Sequence, residues 1–125
     1  MDVYTNWCGP CKLLDKNTFH NADVVDYINE HFYAVKFNGE GNDELSFKGK
    51  SFSNPNYDPA KAQRRNSAHQ LTRYFGLRAY PSIVFIDENQ EMIVSRLLKE
   101  IKSRSFGDFE TMFSLENKLD NYPIL

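Results

Sequence analysis

A single α/β domain, built on a mixed sheet with helices packed on both faces, is the fold class this sequence predicts. Three observations lead there. The chain has 125 residues, enough for one well-buried core and little more. Leu, Ile, Val and Phe make up 32 of those 125 residues, above the roughly one-fifth below which chains tend to stay disordered. Segments with strand character at 33–37, 83–86 and 92–98 alternate with helical segments expected at 24–32, 58–75 and 105–119, an order that suggests a sheet with helices packed on it. Residues 1–125 are therefore read as one domain.

From the start of the chain, Met1 to Asn6 leave room for only a short strand before the motif Trp7-Cys8-Gly9-Pro10-Cys11. Pro10 has a φ suited to an early helical position and no N–H to leave unbonded, so a helix is expected through Lys12, Leu13 and Leu14. Asn17-Thr18 should break or kink it. Asn21 then caps a second helix, with Asp23 in its first turn and Val24, Val25, Ile28 and Phe32 on one apolar stripe. Tyr33, Val35 and Phe37 alternate with Ala34 and Lys36 as a strand requires. The segment from Gly39 to Pro59, punctuated by Gly41, Gly49, Asn54-Pro55 and Asp58-Pro59, reads as irregular surface anchored by Phe47, Phe52 and Tyr57.

With Asp58 as cap and Pro59 at the first helical position, a helix is expected to run to Phe75 and to stop at Gly76. Lys61, Arg64, Arg65 and Arg73 would give it a basic face, either solvated or turned to an anionic partner. Ile83 to Ile86 reads as a strand buried on both faces, joined through Asp87-Glu88-Asn89-Gln90 to a hairpin partner at Met92–Leu98. A last helix is expected from Ser105, carrying Phe106, Phe109, Met112, Phe113, Leu115 and Leu119, and Pro123 ends it.

Charge and hydropathy exclude two classes of partner. Lys plus Arg number 15 and Asp plus Glu 17, so the formal charge is 15 − 17 = −2, without the cation excess of nucleic-acid binders. The longest aliphatic and aromatic run, Ile83 to Ile86, falls far short of the ~20 residues of a membrane helix. No nucleic acid and no membrane span are expected. The opening residues show no export signal.

The two cysteines, Cys8 and Cys11, are the chemistry-bearing feature. As a staple, a disulfide closing so short a loop would restrict the unfolded chain by only about 2 kcal/mol. Structural zinc needs four ligands, and the sequence has neither a second C-x-x-C nor an H-x-x-x-H spacing among His20, His31 and His69. Covalent haem would need histidine after Cys11, where Lys12 stands. A redox couple remains. Thiol–disulfide exchange needs one thiolate to attack and a second thiol to release the mixed disulfide. At the first turn of a helix, Cys8 gains a lowered pKa from unsatisfied N–H groups and the helix dipole, and Cys11 follows one turn later, expected to be the more buried. Gly9 lets the backbone lie close to a docking partner. His20, His31 and His69 carry no chemistry on this reading.

The run Trp7-Cys8-Gly9-Pro10-Cys11-Lys12 resembles the active-site signature of the thioredoxin family, and further positions agree: Asp2, Lys36, Asn38, and the Tyr74-Phe75-Gly76-Leu77-Arg78-Ala79-Tyr80-Pro81 stretch. The resemblance covers residues 2–38 and 70–98 and implies a thioredoxin-like fold. It implies that Cys8 attacks and Cys11 resolves, that Asp2 is the acid assisting deprotonation of the resolving thiol, and that Lys36 is its neighbour. It implies further that Pro81 is a cis-proline opposite the cysteines, flanked by Tyr80 and Ser82, whose main chains meet substrate beside Trp7, Gly9 and Pro10. Against the family, the first strand and helix are missing or truncated, which favours further sequence upstream of Met1. Residues 39–70 are an insertion before the cis-proline strand, and the family's glycine after the last strand has no counterpart between Leu97 and Lys102.

The expected function is thiol–disulfide exchange on protein substrates, in the reducing direction because Gly-Pro separates the cysteines as in reducing thioredoxins. The expected partners are protein disulfides and an upstream thiol or reductase donor, the expected state is a monomer, and no cofactor is implied. The alternatives are a thioredoxin-fold adaptor working through its insertion, which deleting Gly39–Pro59 would expose, and an electron-relay domain of a larger envelope protein. The stretch from Thr5 to Asn38 resembles exported bacterial relatives, which places the chain in the cell envelope or periplasm, with the cytoplasm as the alternative.

Overall fold

The computed structural model of the chain describes residues 1–97. The expected final helix from Ser105 and the stretch after Leu97 lie outside these residues. Strand β1 (Asp2–Tyr4) leads into the cysteine loop and helix α1 (Gly9–Leu14), which widens into a π-helical turn over Asp15–Phe19. Helix α2 (Ala22–His31) and strand β2 (Lys36–Asn38) follow. Next come strands β3 (Leu45–Phe47) and β4 (Lys50–Phe52), a 3-10 turn at Pro59–Lys61, helix α3 (Gln70–Tyr74), and strands β5 (Ser82–Ile86) and β6 (Met92–Leu97).

The main sheet has the order β2-β1-β5-β6. Strands β1 and β2 are parallel, while β1 with β5 and β5 with β6 are antiparallel, so the sheet is mixed. The central pair is buried because both its faces are covered: Val3 and Val84 are fully inaccessible, and Phe37, Phe52, Leu71 and Phe75 complete the core. The β5–β6 hairpin is where its sequence put it. Asn21 caps α2 with its side-chain oxygen on the amides of Asp23 and Val24, and Val24 faces the core. The helix break expected at Asn17-Thr18 is realised as the π-helical widening. Among the described residues no helix is long and apolar enough to cross a membrane.

Three expectations are corrected. The alternation from Tyr33 forms a strand only from Lys36, and Tyr33 and Val35 are exposed, because β2 pairs solely with the three residues of β1. The stretch after Gly39 is not wholly irregular. Leu45-Ser46-Phe47 and Lys50-Ser51-Phe52 pair as a two-stranded hairpin, with Lys48 and Gly49 both at positive φ in the connecting turn (52° and 73°), the geometry that matches strand twist. Phe47 and Phe52 anchor it edge-on to Tyr74 and Phe75. Its tip reaches the β5–β6 turn, where the Lys48 amide donates to Gln90 Oε1 at 2.8 Å and the Lys48 ammonium pairs with Glu91.

The helix expected from Asp58 to Phe75 is two short pieces. Asp58 caps the first turn and Gly76, at φ 68°, ends the last one as anticipated. Between them, side chains claim the backbone groups that a helix would need. Asn66 Oδ1 accepts from the amides of Asp58 and Ser67, and Asn66 Nδ2 donates to the Asp58 carbonyl. Asn54 Nδ2 donates to the carbonyls of Ser67 and Gly41. His69 starts α3: its Nδ1 accepts from the Leu71 amide, so the proton sits on Nε2, 2.7 Å from the Asp43 carbonyl. It is fully buried, with both ring nitrogens hydrogen-bonded to the backbone.

Candidate active site

The cysteine loop leaves the sheet at the end of β1. Cys8 has an extended backbone and occupies the N-cap of α1, with Pro10 in the first helical turn. Cys8 and Cys11 are joined as a disulfide with Cα atoms 5.3 Å apart, and the Cys11 amide donates to Cys8 Sγ at 3.2 Å. The same N–H is positioned to stabilise a thiolate on Cys8 once the bond is reduced. Contrary to expectation, Cys11 is not the more buried of the two: Cys8 is 2% exposed and Cys11 6%. Gly9, by contrast, lies open, with nothing within 4 Å of a Cβ added there.

The Tyr80–Pro81 peptide bond is cis. Strand β5 pairs Ser82 with Val3 and Ile83 with Asp2, and continuing that register sets Pro81 at the end of the sheet from which the cysteine loop departs. Ser82 is buried and its hydroxyl donates to the Ala79 carbonyl at 2.7 Å, so its side chain is committed inward. Tyr80 stands edge-on to Trp7, ring centroids 6.1 Å apart. Burial raises the Tyr80 hydroxyl to a pKa of about 12, and it donates to the Gly39 carbonyl at 3.3 Å. That carbonyl also accepts from the His69 amide and the Thr72 hydroxyl. A Cβ on Gly39 would fall 2.5 Å from the Tyr80 ring, which explains glycine there.

Asp2, Thr5, Cys11, Lys12, Asp15, Lys36 and Gln63 are among the residues lining one cleft of about 270 Å³. Asp2 is raised to a pKa of about 6, first by desolvation; Lys36 and the amino terminus oppose the rise, and Asp15 adds to it. Its Oδ1 is buried and has no hydrogen-bond partner among the described residues. Lys36 pairs with Asp2 in the parallel register, yet its ammonium does not bond that carboxylate. It donates to Asp15 Oδ1 at 2.6 Å, which holds its pKa above the usual lysine value. Asp15 was not singled out in the sequence, because the contact spans two elements and depends on the π-helical turn.

Residues 39–70 meet the cysteine loop at three points, and none was legible in advance. Asn6 Nδ2 donates to the Ala62 carbonyl at 2.9 Å. Trp7 Nε1 donates to Glu40 Oε2 at 2.7 Å, and the same oxygen accepts from the Asn66 amide at 2.9 Å. The Arg65 guanidinium lies 5.0 Å from the Trp7 ring centroid. The basic residues share no helix face: Lys61 lies 3.6 Å from Asp58, and Arg64 Nη2 is 3.5 Å from the Ala60 carbonyl. A larger cleft of about 470 Å³ between α2 and the sheet, lined by Phe19, Val25, Ile28, Phe32 and Phe85, contains neither cysteine. Among the described residues no three His, Cys, Asp or Glu side chains converge as metal ligands do.

Neither curated proteins nor solved structures gave a match to this chain. The model of a thioredoxin-like domain matches residues 1–100, four-fifths of the sequence. A mixed sheet flanked by helices, a cysteine pair at the start of α1 and a proline in cis beside it agree with that match, and the chain belongs to the thioredoxin-like domain family.

Proposed function

We propose that this chain, whose family and joined cysteine pair support thiol–disulfide exchange, reduces disulfides in protein substrates. The observation that carries the reading is the Cys8–Cys11 pair at the start of α1, with the Cys11 N–H already directed at Cys8 Sγ. In the first step the Cys8 thiolate attacks one substrate sulfur; a mixed disulfide forms as the substrate S–S bond breaks, and the other substrate sulfur leaves as a thiolate. In the second, the Cys11 thiolate attacks Cys8 Sγ, expels the remaining substrate thiolate and restores the Cys8–Cys11 bond. Two electrons pass to the substrate, and an upstream thiol or reductase returns them.

Cys11 must lose its proton before the second step. Asp2, in the same cleft and with a pKa near neutrality, is suited to take it. Lys36 and Asp15 set the charge around Asp2. Trp7, Gly9, Pro10 and the main chain of Tyr80, Pro81 and Ser82 form the docking rim. Gly-Pro between the cysteines supports the reducing direction, and the resemblance of Thr5 to Asn38 to exported bacterial relatives supports an envelope location, which fractionation of the native host tests.

The test is insulin reduction with dithiothreitol as donor. Wild type is expected to accelerate precipitation, and Cys8→Ser to run at the uncatalysed rate. Equal rates for the two proteins would overturn the reading.

A further inference from the structure

Residues 61–67 of the insertion lie against the cysteine motif, although nothing in thiol exchange requires them. Two hydrogen bonds hold the segment there, Asn6 Nδ2 to the Ala62 carbonyl and the Asn66 amide to Glu40 Oε2. The second shares its acceptor with Trp7 Nε1, so a single carboxylate oxygen fixes both the segment and the tryptophan next to Cys8. Gln63 from the same segment lines the cleft that holds Cys11. Glu40 is 9% exposed, which makes this a built junction and not a surface contact.

The junction presents cations outward, and Arg65 is the one set over Trp7. Arg65 is exposed, stacks on Trp7, and forms no ion pair among the described residues. Of its basic neighbours, Lys61 pairs with Asp58, while Arg64 lies 3.5 Å from the Ala60 carbonyl, a neutral acceptor that leaves its charge in place. Lys12, also exposed, adds a second cation one residue beyond Cys11. Glu40, the acid that tethers Trp7, is buried and its Oε2 serves two N–H donors. A substrate approaching Cys8 over Trp7 therefore meets an unneutralised guanidinium whose planar fork suits a carboxylate.

We propose that the insertion forms one wall of the substrate-docking surface and that Arg65, held over Trp7, selects protein disulfides flanked by Asp or Glu. The proposal rests on the exchange reaction proposed above and names its substrate class. Selection acts mainly on the encounter rate, because an exposed charge steers association more than it stabilises the complex.

Trp7 is the chain's sole tryptophan and adjoins the disulfide, so its fluorescence reports oxidation of the pre-reduced protein in stopped flow. The probes are two disulfide-cyclised peptides, identical except for Glu or Lys on either side of the cysteines, and hydroxyethyl disulfide. Wild type is expected to react about tenfold faster with the Glu peptide at low salt. That ratio should fall towards one near 1 M salt, where the Debye length is about 3 Å. It should also fall several-fold in Arg65→Gln, persist in Arg65→Lys, and fall further in Arg65→Glu, with Lys12 and Arg64 supplying the remainder. A purely structural role for Arg65 would shift both peptide rates together and leave the ratio intact. Wild type reacting equally with both peptides, or a ratio unchanged in Arg65→Gln, overturns the proposal while exchange itself stands. Failure to react even with hydroxyethyl disulfide overturns the exchange reading first.

Discussion

Asp2 carries opposed demands. An unfolded aspartate releases its proton near pH 3.8, whereas in the fold Asp2 holds it to about 6 because desolvation penalises the charge. Between those values the folded state binds more protons than the unfolded one, so Asp2 makes the protein less stable as pH rises through that window. The shift corresponds to at most about 3 kcal/mol, and to about 1–2 once water in the cleft screens the charge. Asp2→Asn is accordingly expected to raise stability at pH 8 by about 1–2 kcal/mol and to leave it nearly unchanged below pH 4. Urea unfolding at the two pH values checks this. On the proposed mechanism Asp2 accepts the Cys11 proton, so the same substitution should lengthen the lifetime of the Cys8 mixed disulfide about tenfold, read by mass spectrometry after acid quench. A variant both less stable at pH 8 and unchanged in lifetime would remove Asp2 from the mechanism.

At the scale of elements, the 39–70 segment is part of the site's support. Glu40 lies two residues beyond β2 and reaches across to Trp7, while Asn66 reaches back from the far end of the 39–70 segment. Truncating Glu40 to Ala leaves the indole N–H and the Asn66 amide without their acceptor, at a cost of about 1–3 kcal/mol. The indole also loses its tether, so Glu40→Ala is expected to broaden the Trp7 emission and shift it to longer wavelength, measured on the folded protein at 25 °C, with Glu40→Gln recovering part of the change. The hairpin β3–β4 was hidden in the sequence for a different reason. Leu45-Ser46-Phe47-Lys48-Gly49-Lys50-Ser51-Phe52 does alternate, and Lys48-Gly49 is a two-residue turn with glycine second. The strands are only three residues each, below the length at which alternation stands out from a polar, glycine-punctuated background.

At the scale of the molecule, the 39–70 segment and the main sheet share one core among the described residues. Phe52 is 9% exposed and belongs to the same cluster as Val3, Phe37 and Val84. Deleting Gly39–Pro59 would therefore remove part of the core together with Glu40, and cannot separate a binding role from catalysis. A point substitution is the better probe: Phe52→Ala should cost about 3–5 kcal/mol in chemical denaturation. A loss under 1 kcal/mol would mean that the hairpin is an independent appendage.

The reactive pair, its place at the start of a helix, the Asn21 cap, the Asp58 cap, the Gly76 stop, the strand after Pro81 and its hairpin were all legible in the sequence, since each depends on residues within a turn or two of one another. What only the tertiary structure decided involves partners far apart in the chain: Lys36 bonding Asp15 instead of Asp2, the path of residues 62–69, the burial of Cys8 as well as Cys11, and Arg65 resting on Trp7. Local propensity favoured a helix through Arg64 to Ser67. It lost because Glu40, Asn54 and Asp58 offered those backbone and amide groups well-aligned bonds that the helix ladder would have had to forgo.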